Sequence, residues 1–172
     1  ELTPKCIGEI QLRELLNDIF TPQGENFDDF LMNTVVPYVE ENFPVRTDRR
    51  GRAVCGSSSG GLMSFFSGME HSGFFSFVGA FSPAFLCYKT DDWRNYLLNK
   101  ITDNMPYLYI YCGNGDELEQ MIFESVEAMY DLLPETGYPY DMMNEVILFE
   151  NEHNEKAWRE IFPDFLHTFL CK

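Results

Sequence analysis

The chain has 172 residues, 45% of them hydrophobic and 16% aromatic, and a formal net charge of −16. That length accommodates one core, the aromatic content argues against a disordered chain, and the acidic balance disfavours nucleic-acid binding, which needs a basic surface. No apolar run reaches the ~18 residues of a membrane helix, and five cysteines without a CxxC pair suggest neither a zinc site nor a disulfide scaffold.

Residues 1–25 carry one helical pattern, Ile10 to Phe20, with Leu12, Leu15, Leu16 and Ile19 at apolar spacing; the rest of that segment is polar loop and is left unassigned. A helix is predicted from about Phe27 to Asn42, with Phe27, Leu31, Val35 and Tyr38 on one face and a kink at Pro37, which lacks a backbone donor. Arg46 to Arg52 is a charged turn. Arg52-Ala53-Val54-Cys55 reads as a short buried strand, and a helix opens at Gly60 directly after it. A second strand covers Phe77–Phe81 and a loop Ser82 to Lys89. Asp91 or Asp92 is expected to cap a helix running through Leu98. Tyr107–Cys112 is a strand. Leu118, Met121, Ile122, Val126, Met129, Tyr130 and Leu133 repeat at helical spacing until Gly137 and Pro139 break the chain. Val146–Phe149 is the last strand and Trp158–Leu170 the final helix. Cys55 and Cys112 fall in strands and read as small buried hydrophobes. Strands alternating with helices imply an α/β fold: one domain over 1–172, a mainly parallel sheet with helices on both faces.

Between the first strand and its helix lies Gly56-Ser57-Ser58-Ser59-Gly60, a G-x-S-x-G pattern in the strand–turn–helix context of a nucleophile elbow. Gly56 and Gly60 are expected to leave no room for a Cβ, and Gly61 to let the helix pack close to the sheet. A serine alcohol needs an imidazole to take its proton and a carboxylate to orient that imidazole. Two residues fit by position: Asp116 after the third strand and His153 after the fourth. Ser58, Asp116 and His153 each follow a strand's carboxyl end, where open α/β sheets hold their sites. Asp116 is also good turn chemistry in Gly113-Asn114-Gly115-Asp116, and Glu117 is the nearest competitor for the acid. His71 and His167 read as structural or solvated, and Trp158 as a core anchor. No cofactor or metal is implied, since His153 has no second histidine at helical spacing.

The stretch Arg52-Ala53-Val54-Cys55-Gly56-Ser57-Ser58-Ser59-Gly60-Gly61, with Val36-Pro37-Tyr38-Val39-Glu40 before it, Phe74–Ser82 after it, and His153 followed by Trp158, Arg159 and Phe165-Leu166, resembles the α/β-hydrolase esterase family of feruloyl and acetyl-xylan esterases, S-formylglutathione hydrolases and mycolyltransferases. The resemblance runs from roughly Asn26 to Leu170. It implies a serine carboxylic-ester hydrolase with a Ser58–His153–Asp116 triad and an acyl-enzyme, acting on acylated carbohydrate such as feruloyl or acetyl xylan esters. A thioesterase or acyltransferase on the same chemistry, and a non-catalytic fragment, stay open. Cys55, Ser57, Ser59 and the Glu150-Asn151-Glu152 run before His153 depart from the family pattern.

Such a domain has four strands before the elbow strand, and no convincing set is found here. One oxyanion donor is expected from the Ser59 backbone N–H; the second, which comes from a loop after an early strand, is not identified. A bare elbow strand is an aggregation template, so another chain or segment is expected to complete the sheet. Phe85, Leu86, Tyr88 and Trp93 are candidates to line an aromatic acyl pocket, with ordinary packing as the other reading. The partners expected are a small-molecule or polysaccharide ester, with no nucleic acid and no membrane. The compartment is open between secreted and cytoplasmic.

Overall fold

The computed structural model describes residues 2–11 and 21–172. Among the described residues four strands form one parallel sheet in the order β1 (Ala53–Ser57), β2 (Phe77–Phe81), β3 (Tyr107–Cys112), β4 (Met143–Ile147). Helices connect them: α1 (Gly24–Phe30) and α2 (Val36–Asn42) precede β1, then come α3 (Ser59–Glu70), α4 (Thr90–Lys100), α5 (Glu117–Glu135) and α6 (Glu155–Cys171). The expected α/β architecture is therefore present.

Strand alternation sorts the two faces. Val78, Ala80, Leu108, Ile110 and Cys112 face one core, shared with Leu62, Phe65 and Met69 of α3, Leu97 of α4 and Ile122, Val126 and Leu133 of α5. Phe77, Phe81, Tyr107, Tyr109 and Tyr111 face the other, beneath Ile161 and Phe165 of α6. Each large apolar side chain taken fully out of water contributes roughly 1.5–3 kcal/mol. Residues 2–11 join the first core through Ile7 and Ile10, and the Gln11 N–H donates to the Cys87 carbonyl. The helix expected at Ile10 to Phe20 lies outside the described residues beyond Gln11, and Ile10 and Gln11 are not helical.

Several expectations shift. Before Pro37 the chain makes a π-helical turn, Leu31–Val35, so the disturbance takes the form of a widened hydrogen-bond ladder ahead of a residue that cannot donate. The predicted apolar face of this segment is not covered: Phe27 and Tyr38 are exposed, and no residue from Leu31 to Asn42 is buried. The reason also explains β1, expected to be buried. Among the described residues β1 has one neighbour, β2, so it is an edge strand, half exposed, with Cys55 open to solvent while Cys112 is buried. Asp91 and Asp92 do not cap α4; Lys89 holds that position without a side-chain bond, and the two carboxylates lie in the first turn, where the helix dipole favours them. The last strand begins three residues early, leaving Leu148 and Phe149 exposed beyond it, and α6 begins at Glu155, with the Asn154 side chain accepting from the Lys156 and Ala157 N–H groups. No helix among the described residues is long and apolar enough to cross a membrane.

Candidate active site

Ser58 stands between β1 and α3 with φ 56°, a left-handed conformation rare for a residue with a Cβ and costing of order 1–3 kcal/mol. The surroundings hold it there: its N–H donates to the Phe81 carbonyl at 2.9 Å, and its carbonyl accepts from Leu62 at 3.0 Å. A Cβ at Gly56 would lie 2.5 Å from the Gly60 carbonyl oxygen, and one at Gly61 would lie 2.9 Å from the Phe81 carbonyl oxygen. Those two glycines are sterically required. Gly60 is not: a Cβ there meets nothing within 4 Å, because it points away from the sheet side of α3.

His153 approaches from the loop after β4. Its Nε2 is 3.0 Å from the Ser58 hydroxyl. Its Nδ1 is 2.6 Å from Glu119 Oε2, not from Asp116. The carboxylate that faces the ring is thus not Asp116 but one three residues further along the helix. Asp116 is the N-cap of α5: Oδ1 accepts the Glu119 N–H at 2.8 Å, and Oδ2 accepts the His153 backbone N–H at 2.8 Å. A carboxylate occupied in clasping two backbone donors is turned away from the ring, whereas Glu119 at the third position of the helix is carried inward. Glu117, the other candidate, makes no contact with His153 in the structure's hydrogen bonds.

The loops carrying these residues interlock. Gly115 N–H donates to the Asn151 carbonyl at 2.8 Å. A Cβ at Gly113 would lie 2.2 Å from that same carbonyl oxygen, so a larger residue would push the histidine loop away. Of the extra carboxylates near His153, Glu152 accepts from Asn154 instead of the ring.

Glu119 is fully buried. Burial alone would raise its carboxyl, but hydrogen bonds from His153, Ser82 and the Gly113 N–H outweigh that and hold it below the ordinary glutamate value. Asp116 is likewise depressed, by the backbone N–H groups of Glu119 and His153. Serine, imidazole and buried anion in one hydrogen-bonded line are able to generate a serine nucleophile at neutral pH. Ser59, the first residue of α3, has an N–H without an intrahelical acceptor, at the end of the helix where the dipole favours developing negative charge.

The residues expected to line an acyl pocket are packed elsewhere. Phe85, Tyr88 and Trp93 are buried against one another and Phe65 in edge-to-face contacts, with Leu86 partly buried against the same core. The Trp93 indole N–H donates to the Phe85 carbonyl and the Tyr88 hydroxyl to the Pro4 carbonyl. The space beside them amounts to about 30 Å³, too little for an aromatic acyl group.

Glu119 escaped sequence reading because it resembles the third residue of a capping box, D-x-x-E, whose glutamate ordinarily turns back to the helix start. One signal was present. Glu119 shares its stripe with Ile122, Val126, Met129 and Leu133, all buried, whereas Leu118 and Met121 are exposed. A carboxylate on an apolar stripe calls for a buried partner.

Fold and site together define an α/β-hydrolase-type protein with a serine–histidine–carboxylate arrangement at the carboxyl edge of its sheet. The chain belongs to the family described as "Putative esterase", which it matches over residues 20–169. It is 28% identical over 107 residues, 62% of this chain and 13% of the other, to an endo-1,4-beta-xylanase/feruloyl esterase of Xylanibacter ruminicola. Its fold is similar to the enterobactin esterase FES of Shigella flexneri (TM-score 0.71, 17% identity, 84% of this chain and 38% of that one). It is also similar to the CE1 ferulic acid esterase AmCE1/Fae1A of Anaeromyces mucronatus (TM-score 0.67, 23% identity, 88% and 57%). The chain thus spans between 13% and 57% of the length of these proteins.

Proposed function

We propose that this chain carries the catalytic centre of a serine carboxylic-ester hydrolase in which Ser58 is the nucleophile, His153 the base and Glu119 the acid. The observation that carries the reading is the hydrogen-bonded line from Ser58 Oγ through His153 to buried Glu119. Ser58 Oγ attacks the ester carbonyl carbon while His153 Nε2 takes its proton. The oxyanion faces the Ser59 N–H, a donor of a kind worth about 3 kcal/mol in the transition state. The intermediate collapses, His153 returns the proton to the leaving alcohol, and an acyl-enzyme remains. Water then attacks with the same base, releasing the acid and restoring Ser58. Asp116 acts as the clasp joining the two loops.

The substrate class proposed is an acylated carbohydrate, feruloyl or acetyl esters of xylan, supported by the feruloyl-esterase names among the relatives. The second oxyanion donor and the cover of β1 are proposed to come from a segment, of this or another chain, pairing with the open edge. Support comes from the groove beside that edge, lined by Val35, Val39, Val45, Ala53 and Phe74, and from exposed Phe27, Phe30 and Phe43 nearby in the chain.

The test is a fluorophosphonate probe on the full-length protein, with peptide mapping and release of ferulate or acetate from xylan oligosaccharides. Labelling at Ser58 that disappears in His153→Ala is expected. Folded protein that stays unlabelled, or that labels equally without His153, would overturn the assignment.

A further inference from the structure

Glu119 is held by Ser82, and Ser82 in turn by Trp158, two residues that neither the elbow nor the acid and base loops supply. Ser82 directly follows β2, with its side chain fully buried and its backbone at φ 42°. Its N–H stays in the sheet, donating to the Tyr111 carbonyl at 2.6 Å. Its hydroxyl lies 2.6 Å from Glu119 Oε1 and 3.0 Å from the indole Nε1 of Trp158. Trp158 in turn meets the imidazole of His153 edge-on, with ring centres 5.0 Å apart and planes at 90°.

The direction of every proton in this network follows from donor chemistry. An indole N–H only donates. Ser82 Oγ must therefore accept from Trp158, and its single proton is left for Glu119 Oε1. The same oxygen accepts the Gly113 N–H at 2.8 Å, with the Cys112 thiol at 3.5 Å. Oε1 is saturated by donors, which leaves Oε2 to accept from His153 Nδ1. With its proton on Nδ1, the neutral ring presents a bare Nε2 to Ser58. Glu119 thus keeps the imidazole proton on Nδ1, and the serine at this place fixes the carboxylate that does so. A non-glycine residue held in the left-handed region, with its hydroxyl buried against the acid, is where backbone strain is retained for function.

We infer that Ser82 and Trp158 are positioning residues: the relay Trp158 Nε1–H to Ser82 Oγ–H to Glu119 Oε1 fixes the acid, and through it the tautomer and tilt of His153. The inference rests on the assignment of Ser58, His153 and Glu119 as the reacting line. Glu119 is faced by His153 and Asp116 from the two loops and by Cys112 and Tyr111 from β3; Ser82→Ala changes none of these. Without the serine proton, the carboxylate directs more negative charge at Nδ1 and favours the imidazolium.

The experiment pairs two readouts on wild type, Ser82→Ala and Trp158→Phe: the pH dependence of fluorophosphonate labelling, and the NMR titration of His153 with its downfield Nδ1–H signal. Trp158→Phe keeps a ring against His153 and removes only the donor. Expected for Ser82→Ala is about tenfold slower labelling at neutral pH, an acid limb moved to higher pH, and a shifted and broadened Nδ1–H signal; Trp158→Phe moves the same readouts in the same direction by less. Thr136→Ala, a buried hydroxyl bonded within α5, controls for simple destabilisation and leaves both pH readouts in place. If Ser82→Ala does not fold, Trp158→Phe decides. Unchanged labelling profile and NMR titration in the folded variants would overturn the relay while leaving the esterase reading intact. A wild type that fails to label but whose Nδ1–H signal responds to Ser82→Ala would overturn the esterase reading and keep the relay.

Discussion

The choice between Glu119 and Asp116 as the acid is open to a direct comparison of Glu119→Gln with Asp116→Asn. In Glu119→Gln, two donors, the Ser82 hydroxyl and the Gly113 N–H, already point at one oxygen position. The amide oxygen must stay there, so the NH₂ is driven against His153 Nδ1, 2.6 Å away in the native arrangement. Two donors cannot face each other; the imidazole proton moves to Nε2, and the ring can no longer take the Ser58 proton. An amide substitution of this kind costs about 10⁴ in kcat in a serine protease, and the same geometry predicts a loss of about 10³–10⁴ here, roughly 4–5.5 kcal/mol. Asp116→Asn behaves differently. Its oxygen still accepts one of two backbone N–H groups, the Glu119 N–H or the His153 N–H. The cap and clasp weaken by about 1 kcal/mol, and activity falls by less than about tenfold, since the imidazole keeps its acid. Hydrolysis of p-nitrophenyl acetate and methyl ferulate gives kcat and kcat/KM, and urea unfolding the stability. Asp116→Asn losing as much activity as expected for Glu119→Gln, with Glu119→Gln near wild type, would refute the assignment.

Gly56→Ala must displace the Gly60 carbonyl, so a loss of about 2–3 kcal/mol and of Ser58 labelling is expected, whereas Gly60→Ala on the open side of α3 changes stability by less than about 1 kcal/mol; equal urea midpoints for the two variants would contradict this. His71 Nε2 lies 2.6 Å from Asp28, tying α1 to the end of α3. The hydrogen bond to Asp28 raises His71; for Asp28, burial is outweighed by bonds from His71 and Ser67, which depress it. The histidine contribution is complete below its unfolded value, near ~6.5, and is lost as pH rises through the higher folded value. The aspartate contribution is complete above its unfolded value and is lost as pH falls through the depressed one. Asp28→Asn should therefore flatten the decline in urea midpoint above about pH 6.5; an unchanged slope would show the pair carries no linkage. In the full-length protein, a segment over the β1 edge should make Cys55 as slow to alkylate as Cys112, although Cys55 is exposed in this chain and Cys112 is not; Cys55 reacting as fast as exposed Cys171 would refute a covered edge.

Much of this protein was legible from its residues because the relevant physics is local. β-favouring composition marked Tyr107–Cys112, and the expected limits of β2 and β3 are the observed ones; helical spacing marked α5, and Gly56-Ser57-Ser58-Ser59-Gly60 marked the sharp turn between β1 and α3, where Ser58 has φ 56°. His153 was found because loops after parallel strands converge at one edge of the sheet. What depended on long-range contact was out of reach. That β1 is an edge follows from which strands are beside it, and composition cannot report a missing neighbour. That Glu119 takes the imidazole while Asp116 takes the backbone depends on the helix turning one carboxylate inward and on the close fit of Gly113 and Gly115 against the histidine loop, which brings His153 to residues 34 and 37 positions before it. That Phe85, Tyr88 and Trp93 fill a core instead of a cleft depends on α5 and residues 2–11 packing over them. Local chemistry determined the elements and marked Ser58 and His153 as candidates; only the tertiary packing decided that Glu119 and not Asp116 faces the imidazole, because a carboxylate's partners are the donors the fold brings to it.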